Sequence, residues 1–261
     1  MMEQTGRTFQ RTIDKSLIPT CRILGVEIAA IDMDWLLAFT QENMEKLRGD
    51  AICAVNVYSD VTAYRDPEFC GVLNDSALCM SDGGPLSTVG RRRGCSGMQR
   101  VTGPGYMGEI FRMSAQKGWR HYFYGSTEET LDRMKERLLE AYPGLGIVGM
   151  YSPPFRPLTE EEDRLAVERI NETHPDFVWV GLGCPRQERW MHEHLGRVGG
   201  LMCGVGAGFD YYAGNIARAP EWMQRCNLEW VYRLIQEPRR LFGKYWSTNF
   251  TFIWQAGVRG K

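Results

Sequence analysis

The chain has 261 residues, long enough to bury a full core without disulfides or metal. A hydrophobic fraction of 43% and a charged fraction of 24% are the balance of a soluble globular protein. The net charge of -1 gives no reason to expect nucleic acid as a partner. A membrane span needs about 18 or more consecutive apolar residues, and the sequence contains no such run.

The polar start MMEQTGRTFQRTIDKS lacks the apolar segment of a signal peptide. It reads as an arm over 1–20, ahead of an α/β domain over 21–218. CRILGVEIAAID predicts one or two short strands around Gly25, and WLLAFTQENMEKLRG has helical spacing. AICAVNV is a β-rich apolar run, followed by a helical pair around SDVTAYRD and PEFCGVLND. ALCMSD predicts another strand, which ends in the turn signal Asp82-Gly83-Gly84. GYMGEIFRMSAQKG is helical, and HYFYGS is a strand leading into TEETLDRMKERLLEAY, with Ser126 and Glu129 spaced as a capping box. GLGIVGMY, FVWVGLG and GLMCGVG predict strands, separated by the helices PLTEEEDRLAVERINETHP, with Thr159 as N-cap, and RQERWMHEHLGR. Strands alternating with amphipathic helices predict a mainly parallel, Rossmann-like sheet covered on both faces, with ligands beyond the carboxyl ends of its strands.

From Ala219 the alternation stops. Residues 219–261 predict a helical appendage rich in aromatics, and from Arg233 onward six basic residues face a single acid, Glu237. The eight cysteines form no CxxC pair, and Cys53, Cys79 and Cys203 lie within apolar runs, so reduced cytosolic thiols are expected. His121, His174, His192 and His194 form no HExxH and read as structural.

The residues with chemical potential sit at strand ends. Asp82 either projects into the ligand crevice or serves as a turn or cap residue. Arg100, in QRVTGPG, either joins the backbone N–H groups of a glycine turn in holding phosphate or is a surface cation. Gln187, in the first turn after GLGCPR, has an amide suited to a sugar hydroxyl or a uracil edge, against the plain alternative of a solvated helix residue. Asn56 interrupts an apolar run and needs partners, whether backbone or ligand. GVGAGFD suggests a dinucleotide turn, but no helix of the expected pattern follows directly and the acid of a second βα unit is missing. Neither GxxxxGK[ST] nor GxSxG occurs, which excludes the commonest P-loop and α/β-hydrolase signatures.

As an ordered set, NVYSDVTAYRDPEF, LNDSALCMSDG, RVTG, YFYGS, YPGLGIVG, VGLGCPRQERW, GVGAGFDYYAG, RAPEWMQRCNLEW and YRLIQEPRRL resemble the WecG/TagA/CpsF glycosyltransferases (glycosyltransferase family 26), over roughly Ile23 to Tyr245. The resemblance implies inverting, metal-independent and cofactor-free transfer from a UDP-sugar to a polyprenyl-diphosphate-linked sugar in bacterial surface-polymer synthesis. It implies Asp82 as general base and Arg100, with Thr102 and Gly103 of the same turn, at the donor diphosphate. It further implies Asn56 and Gln187 in the pocket and Arg233, Arg239 and Arg240 at an anionic membrane, on the inner face of the cell membrane. Trp222 and Trp230 read as packing the appendage onto the core, and the apolar C-terminal face is open to either membrane or oligomer contact.

Two departures bear on the donor sugar. Ala54 stands where many members have Thr, and Pro104-Gly105-Tyr106 where many carry an acid. N-acetylmannosamine, its uronic acid and glucose remain alternatives. An NAD(P)-dependent oxidoreductase and a non-catalytic nucleotide-binding membrane protein are the rival readings.

Overall fold

A computed structural model describes residues 8–220, 222–223, 229–236 and 238–259, with the side chains of 239–242 and 244–246 outside the description. A hairpin of β1 (Thr20–Ile23) and β2 (Val26–Ala29) comes first, followed by α1 (Met33–Leu47), β3 (Ala51–Val55), α2 (Val57–Arg65) and α3 (Pro67–Asp75). Next are β4 (Leu78–Ser81), α4 (Gly84–Arg92), α5 (Gly103–Lys117), β5 (Arg120–Gly125), α6 (Glu128–Ala141) and β6 (Gly146–Tyr151). Then follow α7 (Glu160–Glu172), β7 (Phe177–Gly181), α8 (Arg186–Glu193), β8 (Leu201–Gly204) and the short α9 (Gly208–Ala213). Among the described residues the appendage holds the helices Glu229–Gln236 and Pro238–Phe252, followed by the helical stretch Ile253–Val258.

Strands β3 to β8 form one parallel sheet in the order β4-β3-β8-β7-β5-β6. Alternate residues of each strand feed two separate cores, as a doubly covered sheet requires. Cys53, Val55, Cys79, Tyr122, Tyr124, Val178 and Val180 face the side packed by α2, α3, α4, α7 and α8. Ile52, Ala54, Met80, Phe123, Phe177, Trp179 and Cys203 face the side packed by α1, α5, α6 and α9. The chain runs outward from β3 to β4, whereas β8, reached last, fills the slot on the other side of β3. The helix after β3 lies on one face and the helix after β8 on the other. A crevice therefore opens beyond the carboxyl ends of β3 and β8, where the connections part.

The N-terminal arm is laid along the opposite end of the sheet from Thr8 onward. The Phe9 N–H donates to the Gly196 carbonyl at 2.8 Å, and Arg11 pairs with Asp50 at 3.0 Å and Asp75 at 3.1 Å. Asp50, fully buried, accepts from the Ala51 and Ala77 N–H groups at 2.7 and 2.9 Å, so one carboxylate secures the start of β3, the entry to β4 and the arm.

Three expectations need correction. The cap of α6 is Thr127, whose hydroxyl accepts from the Thr130 N–H at 3.2 Å, while Ser126 sits one residue earlier at φ 63. A helix of six residues, α9, does follow the GVGAG turn. Trp222 and Trp230 are 61% and 41% exposed, so they do not seal the appendage onto the core. That role falls to the final stretch, where Phe252 and Ala256 enter the core and the Arg65 guanidinium of α2 donates to the Ser247 carbonyl and the Thr251 hydroxyl. Among the described residues no helix is long and apolar enough to cross a membrane.

Candidate active site

Asp82 lies one residue beyond β4, and its N–H donates to the Val55 carbonyl at 2.8 Å, continuing the ladder to the rim of the crevice. After α4 the chain returns alongside: the Val101 N–H donates to the Ser81 carbonyl at 2.9 Å. That bond sets Arg100 and the start of α5 beside Asp82. Thr102 caps α5, its hydroxyl accepting from the Gly105 N–H at 3.1 Å, and Gly103 becomes the first helical residue. The Gly103 N–H, one of the donors a helix start leaves unpaired, faces the Asp82 carboxylate and pulls its pKa down. A Cβ at position 103 would stand 3.2 Å from Val205 Cα and 3.5 Å from Ala54 Cβ, a close fit that favours glycine.

Burial raises the Asp82 pKa to about 6, opposed by the positive charge of Arg100, reinforced by Glu229 and opposed again by the Gly103 N–H and Arg233. The carboxylate is thus ionised at neutral pH and still basic enough to take a proton. Arg100 forms an ion pair with Glu229 of the first appendage helix, whose other oxygen accepts from the Tyr211 hydroxyl of α9 at 3.3 Å. The Arg233 guanidinium lies 5.5 Å from the Tyr211 ring centroid. The appendage therefore reaches the crevice through Glu229 and Arg233, which share one helix face at i, i+4 spacing.

The expected pocket amides are committed to the fold. Asn56 caps α2, its Oδ1 accepting from the Tyr58 and Ser59 N–H groups at 3.0 and 3.1 Å; the side chain remains partly exposed at the rim. Gln187 is buried, with Oε1 accepting from the Gly183 and Gly206 N–H groups, both at 3.2 Å, and Nε2 donating to Glu188 at 2.8 Å. Structure thus brings together Asp82, Arg100, Gly103 and Arg233, keeps Asn56 at the rim, and uses Thr102 and Gln187 to shape loops. The side chains of Arg239 and Arg240 lie outside the described residues.

Glu229 and Tyr211 escape the sequence reading altogether. The only sequence signal for Glu229 is its spacing four residues before Arg233, and for Tyr211 its place just past a glycine turn. His121 is a core residue, accepting from Trp179 Nε1 at 3.1 Å and paired with the Ser114 hydroxyl at 2.8 Å, and burial drives its pKa down to about 3. Among the described residues no group of three or more His, Cys, Asp or Glu converges on a point able to hold a metal ion. Two surface cavities, of about 270 Å³ between α4 and the chain's last turn and about 370 Å³ between α3 and α8, lie apart from this site.

The arrangement can accept a proton at one carboxylate and stabilise negative charge a short distance away with guanidinium groups and a helix N-terminus. Similarity to characterised proteins runs in the same direction. An N-acetylglucosaminyldiphosphoundecaprenol N-acetyl-beta-D-mannosaminyltransferase of Bacillus subtilis is 31% identical over 194 residues, 74% of this chain and 73% of that protein. Its counterpart by name in Bacillus spizizenii is 30% identical over 199 residues, 76% and 75% of the two chains. One from Staphylococcus aureus is 26% identical over 171 residues, 65% of each. The sequence profile of the glycosyl transferase WecG/TagA/CpsF family matches residues 21–260, and the chain belongs to that family.

Proposed function

We propose that this protein transfers a hexose or N-acetylhexosamine from a UDP-sugar to a polyprenyl-diphosphate-linked sugar, with inversion, at the surface of a membrane. The observation that carries the reading is the Asp82 carboxylate, set with Arg100 and the Gly103 N–H beyond the ends of a parallel sheet. The names of the relatives support the acceptor class.

In this mechanism the acceptor hydroxyl gives its proton to Asp82 as its oxygen attacks the anomeric carbon from the face opposite the diphosphate. The bond from that carbon to the diphosphate oxygen breaks, and its electron pair leaves with UDP. Arg100 and Arg233 balance the charge that builds on the leaving diphosphate, as fixed cations in a site of reduced polarity do most effectively. Glu229 holds Arg100 until the diphosphate takes its place. Holding both reactants in line supplies the remaining rate enhancement.

Membrane recruitment in this reading rests on the basic appendage together with exposed Phe250, Ile253, Trp254 and Val258. The test is UDP release from a panel of UDP-sugars in the presence of short-chain polyprenyl-diphosphate sugars. Acceptor-dependent release by the parent and its loss in Asp82→Asn are expected; no release with any donor and acceptor, or release that survives Asp82→Asn, overturns the proposal.

A further inference from the structure

We infer that Glu188 is a positioning residue for the transfer reaction, acting through the Gln187 amide to hold the loops after β7 and β8 in place around Asp82 and Gly103. The inference rests on the functional reading just given. Its starting observation is independent of that reading: a carboxylic side chain, 1% exposed, sits in the first turn of α8 with Oε2 buried and lacking a hydrogen-bond partner among the described residues. A buried polar atom without a partner costs stability, so its presence calls for an explanation.

The dependence is visible in the bonds of its neighbour. A carboxamide has one donating and one accepting end, and nothing in its own shape decides which faces where. Glu188 Oε1 accepts from Gln187 Nε2 at 2.8 Å. With the donating end fixed in this way, Gln187 Oε1 points in the opposite direction, where it accepts from the Gly183 and Gly206 N–H groups, both at 3.2 Å. These two amides belong to different loops, one leaving β7 and one leaving β8. A single oxygen thereby staples two adjacent rims of the crevice.

From there the contacts lead to the base. Gly206 follows Val205, whose Cα lies 3.2 Å from the point where a Gly103 Cβ would stand. The Gly103 N–H is the one that faces the Asp82 carboxylate. The series Glu188, Gln187, Gly206, Val205, Gly103, Asp82 is contiguous, with hydrogen bonds from Glu188 to Gly206 and close packing from Val205 to Gly103. An acid is suited to the first position because a carboxylate oxygen only accepts, whereas a hydrocarbon would leave the Gln187 amide free to turn and present Nε2 to two N–H donors. Burial raises the Glu188 carboxyl to about 7, with Gln187 and Cys184 pulling it back. Its Oε1 accepts in either protonation state.

Two variants test this, each with two readouts. Glu188→Met keeps the volume and removes the acceptor; Glu188→Gln keeps an accepting oxygen. Hydrogen exchange at the Gly183 and Gly206 amides, measured without substrate, is expected to quicken roughly tenfold in Glu188→Met and to stay near the parent rate in Glu188→Gln. In the acceptor-dependent assay, Glu188→Met is expected to lower kcat about a hundredfold, with a smaller change in donor KM, while Glu188→Gln recovers most of kcat.

A folded Glu188→Met with parental exchange at both glycines overturns the inference, as does a Glu188→Gln as slow as Glu188→Met. Should Glu188→Met not fold, Glu188→Asp, which withdraws the acceptor by one methylene, is read on the same two amides, and unchanged exchange there overturns it equally. The exchange readout needs no substrate. A parent protein that releases no UDP therefore sinks the functional proposal alone, and parental exchange in the variants sinks the relay alone.

Discussion

Replacing Asp82 by Asn tests the base and its electrostatic setting together. The folded carboxyl titrates at about 6 against an ordinary value of 3.8. Between those two pH values the unfolded chain has released its proton while the folded chain retains it, so stability falls as pH rises across the window and is level above it. At about 1.4 kcal/mol per pH unit the full displacement is worth about 3 kcal/mol. Asp82 is partly exposed at the rim, so solvent screening brings the expected figure down to about 1–2 kcal/mol. Asn carries no charge at any pH. The variant should therefore match the parent below about pH 4 and exceed it by that amount above about pH 6, measured by urea unfolding across the range. The same variant should lose about a hundredfold to ten-thousandfold in kcat, while calorimetric binding of UDP stays near the parent's. A stability difference that is flat with pH, or a kcat within a few-fold of the parent's, refutes the assignment.

Glu229→Gln removes a negative charge that raises the Asp82 pKa and frees Arg100 from its ion pair. The acid limb of kcat against pH should then move below about 6, with UDP binding a few-fold tighter by calorimetry. Arg100→Gln should move the same limb upward and reduce kcat/KM by roughly a hundredfold or more in the transfer assay. Gly103→Ala forces a methyl against Val205 and Ala54; the expectation is about 1–3 kcal/mol lost in urea unfolding, with a further loss of kcat because the N–H that faces Asp82 is displaced. Sedimentation with anionic vesicles should fall as salt is raised, by about 1 kcal/mol of binding for each cation neutralised, and should fall again when Phe250, Ile253 and Trp254 are replaced by Ser.

The alternation of strands and helices was legible because each strand is buried on both faces and each covering helix carries an apolar stripe, patterns that survive without tertiary information. Helix α4 was not set apart, for a physical reason. Its segment GPLSTVGRR has weak helical propensity, and Gly90 is there because any Cβ would lie 2.0 Å from Met98 Sδ. Close packing decided that residue against propensity.

At the site, the rim positions of Asp82 and Arg100 were legible because strand ends and glycine turns mark the rim of a parallel sheet. The hydrogen-bond partners of Asn56 and Gln187 were not, because an amide's partners depend on which backbone groups the fold brings within reach. Glu229 and Tyr211 come from elements distant in sequence, and their meeting at Arg100 is set by how the appendage docks.

The strand that leads into Asp82, β4, is also an edge of the sheet, and β2 lies against it. An uncovered edge is a template on which another chain can add a strand; the hairpin occupies the place such an intruder would take. At the far edge, β6 has its register to β5 shifted at His121/Tyr122, leaving Val148 unpaired in the ladder. Bulges of this kind bend a strand and spoil its fit to a second flat one. The two borders are thus guarded differently, one by a cover and one by its own irregularity. Deleting the hairpin should therefore provoke self-association of this chain through β4, with Asp82 at the seam.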